Sequence, residues 1–379
     1  MDWTRWREEF PSAARLVHMN HAGISPLPRR VAAAICKFAD EGLLLDRAVY
    51  QRWEERAEAV RAAAARLIGA RPTEIAFVRN TSEGLSLVAA GLPWQRGDNV
   101  ITLADEYPSN VYPWFGLRRL GVETRLLARP QLRFGADDVA ALMDRRTRAV
   151  AVSAVDWQSG FRVDLAALGE LCRARGVLFV VDGIQAVGAL RTDVAASGVD
   201  VLAAGAHKWM LAPEGCGILY IAERVIDRIH PVVLGWKSVE NAGVYLPYHF
   251  DLRADAARLE PGSAAHLGIH ALGAALDLLL EIGVAGIEAR VLETTGRLAD
   301  ALRAIGATIL SPFAPAERSS ILTFALGDAP RLHRALTDAG VIVRQRLGGI
   351  RLAPHFYNDA EDVARVVDAV RAFRDRSAE

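Results

Sequence analysis

Between residues 74 and 221 the chain alternates short apolar runs with longer amphipathic stretches. The runs at 99–103, 149–153, 177–181 and 199–202 are rich in β-branched residues, a pattern that predicts strands buried on both faces. Residues 165–175, between two of them, place Leu165, Leu168, Leu171 and Cys172 on one helical face. This alternation predicts βαβ units and an α/β fold, with a large, mostly parallel sheet carrying helices on both faces. The run 217–221 suits a hairpin strand closing one edge. After about residue 255 the pattern changes to helices over 264–282 and 287–305, single strands near 320–326, 341–344 and 349–352, and a last helix over 360–374. That is a smaller C-terminal α+β domain. The polar, irregular stretch 248–258 marks the expected boundary, giving a large domain over 20–255 and a small one over 256–379.

Composition narrows the function. Of 379 residues, 51% are hydrophobic, and 45 Lys+Arg balance 45 Asp+Glu, for a formal charge of zero. Such a chain can build sizeable cores and carries no basic footprint for nucleic acid or an anionic membrane. The apolar stretch 271–287 includes Asp277 and Glu281 and reads as a core helix. Residues 1–9 are charged where a signal peptide needs an apolar segment. Three scattered cysteines, Cys36, Cys172 and Cys216, give neither a disulfide framework nor a metal site, and Cys36 and Cys172 read as small buried apolar residues. The expected location is cytoplasmic.

Three local patterns carry chemistry. Asp182 follows the apolar run 177–181, at the carboxyl end of a predicted parallel strand, where open α/β sheets bind ligands. Lys208 sits among Gly205, Ala206, His207 and Trp209, a poorly hydrated setting that lowers an amine's pKa and suits a Schiff-base nucleophile. Arg79-Asn80-Thr81-Ser82-Glu83-Gly84 follows a strand and opens an apolar helix, offering hydroxyls and free backbone N–H groups to a phosphate. A strand-end cap, a snorkelling lysine and a simple capping box explain each pattern taken singly. The conjunction suits a cofactor with a phosphate, a basic ring nitrogen and an aldehyde, namely pyridoxal phosphate. No G-x-x-x-x-G-K-[ST] occurs, and no G-x-G-x-x-G lies between a strand and a helix.

With these motifs, Val181-Asp182-Gly183-Ile184-Gln185, Ala206-His207-Lys208-Trp209 and Gly215-Cys216-Gly217, the chain resembles the class V aminotransferase family, which includes cysteine desulfurases. The likeness runs from Asn20 to Asn358. It implies a fold type I pyridoxal phosphate-dependent transferase, with residues 1–19 packing on the small domain, and a homodimer with shared active sites. It also implies roles. Lys208 would hold the cofactor as a Schiff base and move the substrate's α-proton. Asp182 would pair with the pyridine nitrogen and Gln185 with the phenolic oxygen. Thr81, Ser82 and His207 would hold the phosphate, Tyr107 would stack on the ring, and Ser263 would reach the partner subunit's phosphate. Arg351 would clamp the α-carboxylate, and Asn20 and His21 would enter the site.

Departures from the family pattern bear on the reaction. The stretch 343–350, where desulfurases carry a nucleophilic cysteine, has none. Trp157 stands where many relatives have an asparagine, so that Gln158 or Gln185 would serve the phenolic oxygen, unless Trp157 shapes the substrate pocket or is simply a core residue. Trp236, Arg344 and Arg346 are further pocket candidates. The alternation of the two arginines about Gln345 puts them on one strand face, which suits either an acidic substrate or solvent. The expected activity is transamination between an amino acid and a 2-oxo acid through an external aldimine. A C–S or selenocysteine-type lyase and an epimerase with Tyr107 as its acid are the alternatives, and a catalytically silent scaffold is the reading from another class.

Overall fold

A computed structural model of the chain describes residues 3–378. Met1 and Asp2, part of the charged N-terminus noted above, lie outside them. The strands in chain order are β1 (Val17–His18), β2 (Ile75–Val78), β3 (Asn99–Leu103), β4 (Glu123–Leu127), β5 (Thr147–Ser153), β6 (Leu178–Asp182), β7 (Val201–Gly205), β8 (Gly217–Ile221), β9 (Thr308–Ile309), β10 (Leu322–Ala325), β11 (Val341–Ile342), β12 (Arg344–Arg346) and β13 (Gly349–Leu352).

The apolar runs form a seven-stranded sheet in the order β2-β8-β7-β6-β5-β3-β4. β3 to β7 are parallel to one another, and β8 runs against both β7 and β2. The expected hairpin edge is corrected here: β8 is an interior strand with all five residues buried, and β2 ends the sheet. The sequence Gly-Ile-Leu-Tyr-Ile is too apolar for an open edge, and pairing on both sides satisfies its backbone. Register pairs Ser153 with Asp182 and Asp182 with Ala203, so the carboxyl ends of the central strands lie level.

Helix Thr81–Gly91 starts directly after β2, at the same carboxyl edge. Asn80 caps it by accepting the Glu83 N–H at 2.9 Å, and the Glu83 carboxylate accepts the Arg79 N–H at 2.6 Å. At Gly84 a Cβ would stand 3.0 Å from the Ala203 Cβ, so glycine lets the helix lie close on β7.

Helix His266–Ile282 packs on helices Arg29–Leu43 and Arg47–Ile68. Its Ile269, Leu272, Leu276 and Leu279 belong to the core of the large sheet, each contributing about 2 kcal/mol by burial. It bends by 80° from helix Val284–Ala304, and among the described residues no single helix is long and apolar enough to cross a membrane. A second core gathers Val17, Met19, Leu298, Leu302, Leu322, Phe324 and Val366 around the antiparallel sheet β12-β13-β10-β9. The boundary expected at 255–256 therefore moves. Residues 256–291 pack with the large sheet, and the small core begins at Leu298, inside the second helix. Polarity marked a surface loop, whereas packing follows the apolar faces of the helices.

The N-terminal segment is divided between the two cores. Trp6 and Phe10 join the large one, while β1 pairs in parallel with β11 and Arg7 bonds Asp362 at 2.7 Å.

Candidate active site

The carboxyl edge of the large sheet and the β12–β13 hairpin of the small one enclose a cavity of about 380 Å³. From the large sheet it is lined by Asn80, Thr81 and Ser82 at the helix start, Tyr107 and Ser109 beyond β3, Trp157 beyond β5, Ile184 and Gln185 beyond β6, and His207 and Lys208 beyond β7. Ala22 and Gly23 close one side, Glu214 lies at the rim, and Arg344, Arg346 and Arg351 face in from the hairpin. Short parallel strands ending level bring these distant positions together.

Lys208 is the centre. Its side chain is buried, and its amine has no hydrogen-bond or ion-pair partner among the described residues. Burial pulls the amine down to about 8, aided by the Arg351 and Arg346 charges and opposed by Asp182. A substantial neutral fraction is thus available near neutral pH, as nucleophilic attack on an aldehyde requires. Asp182 lies beneath, buried, accepting the Ile184 N–H at 3.0 Å. Burial raises its carboxyl to about 6, against that N–H and the Lys208 charge. A cationic ring nitrogen would favour the carboxylate, so the pair matches a protonated pyridine.

One end of the cavity is built for an anion. The Thr81 hydroxyl accepts the Gly205 N–H at 2.9 Å, which fixes it between helix and strand, and the Ser82 and Ser109 hydroxyls lie 2.7 Å apart. With the first N–H groups of helix Thr81–Gly91, they form a donor cluster suited to phosphate. His207 stands alongside, its imidazole pushed down from the usual value by burial and the Lys208 charge, against Glu214. Opposite, Arg351 is 2% exposed. It donates to the Trp157 carbonyl and, at 3.2 Å, to Asn20 Oδ1, while its Nε has no partner. A buried guanidinium with donors unspent is prepared for a carboxylate.

The remaining expected residues divide. The Tyr107 ring centre lies 5.5 Å from Lys208 Nζ and 5.4 Å from the Trp157 ring, so Tyr107 flanks the lysine and Trp157 packs edge-on against Tyr107. Gln185 is engaged by Ala22 O and by the Trp209 indole, which leaves its amide one further donor. Gln158 does not line the cavity; its carbonyl accepts the Thr323 hydroxyl. Asn20 acts through Arg351. His21 is corrected: it is fully buried behind the wall, with its ring nitrogens bonded to Ala353 O and the Tyr357 hydroxyl. Trp236 lies outside this chain's own cavity, on the surface against Tyr245, because the loop after β8 runs away from the carboxyl edge. Ser263 is exposed and outside this chain's cavity.

Cys36 is exposed, contrary to expectation, while Cys172 and Cys216 are buried with thiols pushed up to about 12. None of the three lines the cavity.

Sequence reasoning gave Asn80 no role within its phosphate motif and missed Ser109 and Glu106. Glu106 is buried behind Tyr107 and accepts bonds from the Ser153 N–H and hydroxyl and from the Tyr107 N–H. Burial raises it to about 7, and the nearby Asp182 charge adds to the rise. An acid three residues past the end of an apolar strand was its only signal. Arg129 likewise bridges Asp105 and Asp156 at 2.6 and 2.9 Å, tying the Tyr107 loop to the Trp157 loop.

The class V aminotransferase model matches residues 17–367. An uncharacterized aminotransferase of Schizosaccharomyces pombe is 30% identical over 378 residues, covering 97% of this chain and 94% of that one. Isopenicillin N epimerase of Streptomyces clavuligerus is 29% identical, covering 98% of each. The solved apo structure of a cysteine desulfurase from Thermococcus onnurineus NA1 superposes with a TM-score of 0.88 at 26% identity, covering 98% of this chain and 97% of that one. With an amine, a carboxylate and a phosphate cradle converging at the strand ends of such a fold, the chain belongs to the class V aminotransferase family of pyridoxal phosphate enzymes.

Proposed function

We propose that the protein is an aminotransferase that takes the amino group of an amino acid and delivers it to a 2-oxo acid. The observation that carries this reading is the unpartnered, buried Lys208 amine set between Asp182 and Arg351, in a cavity that no cysteine lines. Bound pyridoxal phosphate supplies an electron sink for the carbanion at the substrate's α-carbon. Asp182 keeps a positive ring nitrogen in place, Thr81, Ser82 and His207 orient the phosphate, and Gln185 offers its free N–H to the phenolic oxygen. Arg351 binds the α-carboxylate, which fixes the α C–H relative to Lys208. Lys208, its amine pulled down to about 8, takes that proton and returns it.

Transamination needs nothing beyond these groups. A persulfide held on the enzyme needs a cysteine thiol, and none lines the cavity. Elimination and epimerisation share the same first proton removal, and the epimerase relative keeps that reading in the test.

A homodimer is supported by the exposed apolar side chains of Tyr245, Leu246, Tyr248 and Phe250, with Tyr248 91% exposed, and of Leu43 and Leu44. Trp236 and Ser263 lie outside this chain's own cavity, where a shared site would use them; sedimentation at several concentrations tests the dimer.

The function is tested by titrating the cofactor-loaded protein with a panel of amino acids. A donor should bleach the long-wavelength band of lysine-bound cofactor, and a 2-oxo acid should restore it. Lys208→Ala should lack the band and the activity. Release of pyruvate or sulfide with the band retained would make the enzyme a lyase; inversion of substrate configuration alone would make it an epimerase.

A further inference from the structure

β12 and β13 pair antiparallel with Arg344 directly opposite Arg351, so both side chains leave the same face of the hairpin. Arg346, two residues along β12, shares that face. Three guanidinium groups therefore converge on the cavity, and all three line it. Like charges set opposite one another on a sheet repel, and natural sheets usually offset them with acids. Here nothing does. Among the described residues, Arg344 has neither an ion pair nor a side-chain hydrogen bond. Arg346 donates only to the neighbouring Gln345 carbonyl, and its buried Nε has no partner.

The acids nearby are engaged or remote. Asp156 is held by Arg129 at 2.9 Å, and Glu214 lies at the rim beside His207. The Arg346 guanidinium lies 4.9 Å over the Trp157 ring, an aromatic platform that orients the fork while leaving most of its N–H donors available. Arg351 itself already holds the Trp157 carbonyl on that same loop. One residue, Trp157, thus orders two of the three arginines.

We propose that Arg344 and Arg346 form a second carboxylate subsite beside Arg351, so that the amino-acid substrate is one with an acidic side chain. This inference rests on the amino-acid-enzyme reading, and it deepens that reading by naming the substrate class. Arg351 takes the α-carboxylate, and the β12 pair takes the distal one. The like-charge repulsion across the hairpin becomes a source of selectivity, because a dianion relieves it at two points and a monoanion at one.

The test uses succinate and butyrate, which share a four-carbon skeleton and differ by one carboxylate. Their binding to the cofactor-loaded protein is measured by titration calorimetry at fixed ionic strength, for wild type and for the Arg344→Gln/Arg346→Gln double variant. The cofactor absorbance serves as the fold control. Wild type should bind succinate about 10- to 100-fold more tightly than butyrate, the worth of a hydrogen-bonded charge pair. The double variant should lose that preference while its butyrate affinity stays within about twofold. Equal affinities in the wild type, with the cofactor band present, would overturn the acidic subsite and leave the amino-acid reading standing. A preference that survives in the double variant would overturn the assignment to these arginines. An arginine-dependent preference in protein that never takes up cofactor would uphold the subsite and overturn the amino-acid reading instead.

Discussion

Replacing Asn20 by aspartate separates the two jobs of the Arg351 surroundings, holding the guanidinium and leaving it free for substrate. Asn20 Oδ1 accepts from Arg351 Nη2 at 3.2 Å, and both residues are buried. A full negative charge at that distance attracts the guanidinium by about 5 kcal/mol at an effective dielectric of ~20. Desolvating the new carboxylate offsets much of this. The net effect on folding should be a gain of about 1 kcal/mol, read as a rise in melting temperature. Substrate binding should move the other way. The internal carboxylate competes for the same fork, and losing the advantage of a charged hydrogen bond weakens α-carboxylate binding by about 1.5–3 kcal/mol. That is roughly a 10- to 100-fold rise in KM for every amino acid, with the cofactor band intact. Asn20→Ala should raise KM less and lower the melting temperature. Steady-state kinetics and thermal unfolding on the same samples check both signs. An Asn20→Asp variant more stable than wild type with unchanged KM would refute the carboxylate role of Arg351.

Three other outcomes follow from the site. The rate at which protein without cofactor captures pyridoxal phosphate should rise with pH and level off above about 8, where the Lys208 amine becomes neutral; stopped-flow absorbance checks it, and a rate flat from pH 6 to 9 would mean that the amine is not the titrating group. Glu106 has a folded-state pKa raised to about 7, so in protein without cofactor its cost to stability grows as pH climbs from about 4.5 to 7. The melting temperature of Glu106→Gln relative to wild type should therefore increase over that window, by up to roughly 3 kcal/mol in stability, and a difference independent of pH would count against it. Gly160→Ala should destabilise the fold by about 2–4 kcal/mol in urea unfolding. Gly160 has φ 76°, and a Cβ there would overlap the Ile321 carbonyl. The variant should also raise KM, because this loop presents the Trp157 carbonyl to Arg351.

Lys208, Asp182, Gln185 and Thr81 were legible in the sequence because each sits at the end of an apolar run that forms its strand locally, and strand ends are where such folds place chemistry. Glu106 was not legible, since its role depends on Ser153 of another strand, 47 residues away. His21 was misplaced for the same reason. A histidine near the N-terminus carries no local mark of which side of the wall it occupies. The arginines of β12 were legible as sharing one face, but not as facing the cavity.

The sequence by itself determined four of the five parallel strands (β4 was missed), the chemistry at their carboxyl ends and the absence of a cysteine from 343–350, because hydrophobic periodicity and strand-end chemistry are local properties. Tertiary structure alone decided that β8 lies inside the sheet, that the first long C-terminal helix belongs to the large core, and that Arg344, Arg346 and Arg351 line one cavity with Lys208. These depend on which apolar face covers which, and on pairing between strands far apart in the chain. No local pattern encodes that partner; only the packed whole selects it.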